Sequence, residues 1–148
     1  GALGLAAVRG ELEDADGYLA ERYRRPTPRL DLRDMLRTSA TAAADVSDGL
    51  VADARHIATA SGVRLAIDLD RLPLSLAARR WLDGQPDRAQ ALLTLASGGD
   101  DYEIICTGRA GETLAGCTAI GEVSTGEGLE VRCDGMQLDP GVGGWRNL

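Results

Sequence analysis

The sequence predicts an α/β fold, a mixed-sheet sandwich with helices covering one face. Helical and extended hydrophobic periods follow one another along most of the chain, the pattern of a sheet with helices laid on it. A tight-turn signal, Asp134-Gly135, sits between Leu129-Val131-Cys133 and Met136-Gln137-Leu138 and predicts a closing hairpin. The length of 148 residues, 44% of them hydrophobic, is enough for one domain with a real core and gives no sign of disorder.

Residues 2–25 read as helix. Leu3, Leu5, Ala6 and Val8, then Leu12, Ala15, Leu19 and Tyr23, recur at three- and four-residue spacing, and Gly10 and Gly17 are points where it can break in two. Arg24-Arg25-Pro26-Thr27-Pro28-Arg29 reads as a stiff linker whose arginines are solvated. Leu32, Met35 and Leu36 support a short helix, and Thr41 to Ala44 an extended approach. A helix follows Gly49 to about Ala60, with Leu50, Ala54, Ile57 and Ala58 as its buried stripe and Gly62 as its stop. His56, the only histidine, lies off that stripe and reads as a polar helix residue.

Val63, Leu65, Ile67 and Leu69 alternate as a half-buried strand. Leu72-Pro73-Leu74 is a turn, and Ser75 caps a helix to about Leu82. Pro86 suits the first turn of a further helix carrying Ala89, Leu92, Leu93 and Ala96. Gly98-Gly99 breaks the pattern before a strand through Tyr102, Ile104 and Cys106. Residues 109–116 are expected as a short helix and Cys117 to Val123 as a strand, with the final hairpin after them. The tail from Gly141 is expected to be flexible apart from Trp145.

Two stretches carry chemistry. Asp45-Val46-Ser47-Asp48-Gly49-Leu50 places two carboxylates three residues apart around a hydroxyl, at a turn between strand and helix. Carboxylates are hard oxygen ligands for Mg²⁺, and a hydroxyl or N–H at a helix start can hold phosphate. On local sequence alone Asp48 also reads as an N-cap, with Asp45 and Ser47 as ordinary turn residues. The second stretch, Ser97-Gly98-Gly99-Asp100-Asp101-Tyr102-Glu103, sets a glycine pair and adjacent carboxylates before a strand.

Composition narrows the classes. A net charge of −7 leaves no basic face to release counterions from nucleic acid or anionic membrane, although Mg²⁺ would let an acidic protein bind a nucleotide. No apolar run has the length of a membrane span. All 16 basic residues are arginine and there is no Phe, so the core falls to Leu, Val, Ile and Ala. Cys106, Cys117 and Cys133 are odd in number, lack zinc-site spacing, and read as reduced thiols of a cytoplasmic protein.

Taken in order, Asp45-Val46-Ser47-Asp48-Gly49-Leu50, Ala60-Ser61-Gly62-Val63, Ile67-Asp68-Leu69, Leu72-Pro73-Leu74-Ser75 and Ser97-Gly98-Gly99-Asp100-Asp101-Tyr102-Glu103 resemble the C-terminal domain of thiamine-monophosphate kinases. That family belongs to the wider group of aminoimidazole ribonucleotide synthetase, whose C-terminal-domain fold the resemblance implies. It also implies ATP- and Mg²⁺-dependent phosphorylation of thiamine monophosphate to thiamine diphosphate, with no catalytic base. Asp45 and Asp48 would ligate Mg²⁺ and Ser47 would contact ATP. Asp100, where the family usually has Glu, and Trp145 would contact the thiamine substrate, while Asp101 and Glu103 would be structural.

The resemblance implies that residues 1–25 end an N-terminal ATP-binding domain, 26–30 form a linker and 31–148 the C-terminal domain. The chain opens on Gly-Ala-Leu-Gly inside an apolar helical pattern, so it is expected to be the back half of a larger protein, inactive alone. The family's homodimer is expected only with the N-terminal domain. Two other functions compete: a related ATP-dependent synthetase with a different substrate, and a non-catalytic binding or assembly domain.

Overall fold

A computed structural model describes residues 1–141. The first helical stretch is two helices, α1 (Ala2–Val8) and α2 (Tyr18–Arg24), with Gly10 and Gly17 at positive φ between them. A 3-10 turn at Leu30–Leu32 runs into α3 (Arg33–Ser39), and β1 spans Ala42–Asp45. Then come α4 (Leu50–Ser61), β2 (Arg64–Asp68), a 3-10 turn at Leu69–Arg71, α5 (Leu76–Asp83) and α6 (Arg88–Ser97). The chain continues as β3 (Ile104–Thr107), β4 (Gly121–Ser124), β5 (Gly128–Cys133) and β6 (Met136–Leu138).

The strands form two sheets. A four-stranded mixed sheet runs β4-β2-β5-β6, with β2 and β5 parallel and both outer pairs antiparallel. A separate antiparallel pair joins β1 to β3. Helix α4 packs on β2 and β5 of the large sheet and also touches β1 and β3, so it ties the two sheets together. Its buried face is Val51, Ala54, Ile57 and Ala58, rotated toward Val51 from the expected stripe; Leu50 packs only at the margin. Leu69, Leu92, Val131 and Cys133 complete the centre of the core. Burial of each large aliphatic there contributes about 1.5–3 kcal/mol.

Helix ends follow local chemistry. Ser75 Oγ accepts from the Ala78 N–H and Asp87 accepts from the Gln90 N–H, so α6 begins at Arg88 and Pro86 precedes the cap. Gly62 ends α4 in the left-handed conformation that costs glycine least. Asp134 and Gly135, both at positive φ, make the turn between β5 and β6.

Three expectations fail. Residues 109–116 form turns: Gly111 and Gly116 take positive φ, and the Glu112 and Cys117 N–H groups bond only three residues back, to Arg109 and Leu114. The strand expected from Cys117 begins only at Gly121, because its partner β2 ends near there; Gly121 pairs with Ile67, and Ile120 accepts the Asp68 N–H. Tyr102 lies outside β3, at φ 53°. Among the described residues no helix is long and apolar enough to cross a membrane.

Candidate active site

β1 and β3 deliver the two acidic stretches to one place. Their register ends at Asp45 opposite Ile104, and the loops beyond stay joined through backbone. The Val46 N–H donates to the Glu103 carbonyl at 2.8 Å, and the Asp100 N–H to the Ser47 carbonyl at 2.9 Å. The Val46 carbonyl accepts from both Asp101 (3.2 Å) and Tyr102 (3.1 Å). A β-carbon at Gly99 would lie 2.4 Å from the Ser47 carbonyl oxygen, and one at Gly49 would lie 2.6 Å from that of Ser97. Only glycine permits this approach.

The contact holds backbone out of its ordinary range. Asp100 and Tyr102 sit at φ 60° and 53°, which costs on the order of 1–3 kcal/mol each. Asp tolerates the left-handed region better than the bulky Tyr does. Strain of this size persists where surrounding bonds over-determine it, and the four donors just described do so.

Asp48 does not cap α4. Gly49 is the N-cap residue and offers no side chain, so of the two readings of Asp48 the capping one is excluded. The anchoring carboxylate is Asp53, in the first turn of α4 and only 5% exposed. Its Oδ2 accepts the backbone N–H groups of both Ser47 (3.0 Å) and Asp48 (3.1 Å), which fixes the loop that presents Asp45, Ser47 and Asp48. The signal for Asp53 was a carboxylate inside the apolar run Leu50-Val51-Ala52-Asp53-Ala54, where charge survives only if paired. With the capping role gone, the Asp45 and Asp48 side chains are exposed and make no hydrogen bond or ion pair among the described residues.

His56 is drawn in as well. Its Nδ1 lies 3.7 Å from Asp53 Oδ1, and Asp48, Asp53 and His56 each offer a ligand atom within 4.8 Å of the others. Asp45 is not a member of that group. Asp100 stands half-buried on the facing loop, bonded through its own N–H to Ser47. Trp145 lies outside the described residues.

The linker is not simply solvated. Arg29 pairs with Glu103, and Arg22 Nη2 bonds the other oxygen of the same carboxylate at 2.6 Å. Arg29 also bonds Asp31, and Asp31 first, then Glu103, hold its proton more tightly than usual. Sequence patterning gives no sign of a pairing across so many residues. A second acidic group, Asp70, Cys133 and Asp134, is filled by the guanidinium of Arg88, which bonds Asp70 and lies 3.6 Å from the Cys133 sulfur. Among the described residues, shallow surface depressions lie around Tyr18 and Arg25 and around Arg55 and Gln137, away from the acidic loops.

Residues 1–134 match the family described as AIR synthase related protein, C-terminal domain. Thiamine-monophosphate kinase of Caulobacter vibrioides is 50% identical over 98% of this chain and 44% of its own length. That of Salmonella typhimurium is 40% identical over 93% of this chain and 46% of its own. The structure of AaThiL complexed with AMPPCP and TMP superposes with TM-score 0.80 at 33% identity, covering 99% of this chain and 47% of that one. Thiamine-monophosphate kinase from Stenotrophomonas maltophilia K279a gives 0.73 at 37% identity, over 90% and 46%. The chain thus spans less than half the length of each relative named here.

Proposed function

The chain belongs to the AIR synthase related protein C-terminal domain family, and from that premise we propose that it is the C-terminal portion of a thiamine-monophosphate kinase. The reaction is transfer of the γ-phosphoryl of ATP to the phosphate of thiamine monophosphate, giving thiamine diphosphate. The observation that carries the reading is the backbone staple between the two acidic loops. It holds the Asp45–Asp48 loop against the Asp100 loop, which supports reading the first as the metal-and-nucleotide edge and the second as the substrate edge.

The acceptor oxygen of a phosphate is already an anion, so the transfer needs no general base; its barrier lies in bringing two polyanions into line. Asp45 and Asp48 fit Mg²⁺ by their chemistry: both are exposed hard-oxygen donors without protein partners among the described residues. Mg²⁺, when bound, offsets the negative charge of the phosphate oxygens. Ser47 offers its hydroxyl to the nucleotide, while its N–H is committed to Asp53. Asp100 supplies a carboxylate to the cationic heterocycle, one methylene shorter than the family's usual Glu, and Trp145 supplies an aromatic face. Residues 1–25 would end the N-terminal domain, 26–30 the linker, and the remaining ATP contacts would come from outside this chain. We place it in the cytoplasm, the reducing setting that three cysteines outside any disulfide suit.

The test is Asp48→Asn in the complete enzyme. Since Asp48 caps nothing, the variant should melt within about 0.5 kcal/mol of wild type and lose most turnover at limiting Mg²⁺. Wild-type activity at limiting Mg²⁺ would remove Asp48 from the metal site.

A further inference from the structure

The cysteines take no part in the chemistry proposed above, yet two of them meet. Cys106 lies in β3, paired with Ala43 of β1, and Cys117 lies on the 108–120 segment between β3 and β4. Their sulfurs are 3.8 Å apart and both residues are half-buried. A disulfide has S–S near 2.05 Å, so roughly 1.8 Å of approach is needed. The segment that must move has no regular structure at Cys117; a turn bond from the Cys117 N–H to Leu114 holds it. Closing that gap requires a side-chain rotation and a small shift of the segment.

Cys133 provides the internal contrast. It is fully buried, its sulfur lies 3.6 Å from both Asp70 and Arg88, and burial followed by the Asp70 and Asp134 charges pushes its thiol up. It is closed to oxidant and has a charged cage around it where a partner sulfur would have to stand.

We propose that Cys106 and Cys117 form a reversible disulfide, a thiol modification site whose oxidant is a hydroperoxide. The steps balance as follows. The Cys117 thiolate attacks the O–O bond of hydrogen peroxide, becomes a sulfenic acid and releases hydroxide. The Cys106 sulfur then attacks the Cys117 sulfur, losing its proton as the hydroxyl leaves as water. In sum, two thiols and one peroxide give one disulfide and two waters. Cys117 acts first because it lies on the irregular segment, whereas Cys106 is held in β3, where burial, then the neighbouring sulfur, push its thiol up to about 11. The closed ring joins the 108–120 segment to β3 and restricts the unfolded chain, so the oxidised protein should melt several degrees higher.

Tryptic cleavage separates the three cysteines cleanly, because Arg88, Arg109 and Arg132 place Cys106 in peptide 89–109, Cys117 in 110–132 and Cys133 in the peptide that follows. The folded protein is treated with stoichiometric hydrogen peroxide, alkylated, digested without reductant and mapped by mass. The expected product is the 89–109/110–132 pair, about 2 Da below the sum of the free-thiol peptides because two hydrogens are lost, and reversed by dithiothreitol. Cys133→Ser should leave its yield unchanged and Cys117→Ser should abolish it, with Cys106 still alkylated. Linked peptides containing Cys133 in comparable yield, or oxidation of Cys117 that never passes to Cys106, would overturn the proposal. Should Cys117→Ser fail to fold, the wild-type and Cys133→Ser maps decide alone.

Discussion

Asp53→Ala tests whether one buried carboxylate holds the acidic loop in place. Oδ2 receives two amide donors at 3.0 and 3.1 Å. A hydrogen bond to a charged group contributes about 1.5–3 kcal/mol net. Two opposing effects lower the sum: the half-buried donors regain some water once freed, and the burial cost of the carboxylate disappears with it. We therefore expect Asp53→Ala to destabilise the fold by about 2–4 kcal/mol, a fall in Tm of roughly 4–16 °C for a chain of this size. Asp53→Asn keeps an oxygen acceptor for both donors and loses only the charge, so it should cost about 1 kcal/mol. Equilibrium urea unfolding of the three proteins at neutral pH gives the free energies. Amide hydrogen exchange at Ser47 and Asp48 gives the local effect, with protection falling strongly in Asp53→Ala and weakly in Asp53→Asn. The reasoning fails if Asp53→Ala unfolds at the wild-type midpoint, or if it is destabilised while both amides keep wild-type protection.

Gly49→Ala should cost at least about 3 kcal/mol and Gly62→Ala about 1 kcal/mol in urea unfolding; both glycines have positive φ, but only at Gly49 does the new carbon meet a carbonyl, that of Ser97. Equal midpoints for the two would refute the close approach of the loops. Asp70 is held below the usual carboxylate range first by the Asp134 N–H and then by Arg88, so its folded pKa is depressed. Its contribution is therefore complete above the unfolded value of about 4 and is lost as pH falls through the folded value. Urea midpoints of wild type and Asp70→Asn should converge as pH falls below about 4. In the complete kinase, Trp145→Ala should raise KM for thiamine monophosphate several-fold and that for ATP by less than about twofold. Asp100→Glu should be tolerated there and Asp100→Ala should not; equal effects on both Michaelis constants would assign these residues to the fold.

Much was legible in the sequence because the features concerned are local. Periodicity gave the α4 helix and its glycine stop, the β2 and β5 strands, and the Asp134-Gly135 turn, each a consequence of nearest-neighbour backbone geometry. Where periodicity misled, glycine conformation decided: Gly111 and Gly116, both at positive φ, turned the helix expected over 109–116 into turns. The chemical identity of the acidic loops was also visible, since oxygen donors at a strand-to-helix turn are recognisable without knowing their surroundings.

Contacts across many residues belong to the tertiary structure alone. Sequence left Asp48 divided between cap and ligand; the fold removed the cap by placing Gly49 at the helix start and giving the loop amides to Asp53. It likewise paired Arg22 and Arg29 with Glu103, brought the Cys106 and Cys117 sulfurs together, and split the strands into two sheets joined by α4. Residue type and spacing fix what a group can bond, and so the sequence by itself determined most of the elements and the donor chemistry. Which partner a group meets depends on chain segments that only the packed core brings within bonding distance, and that the structure decided.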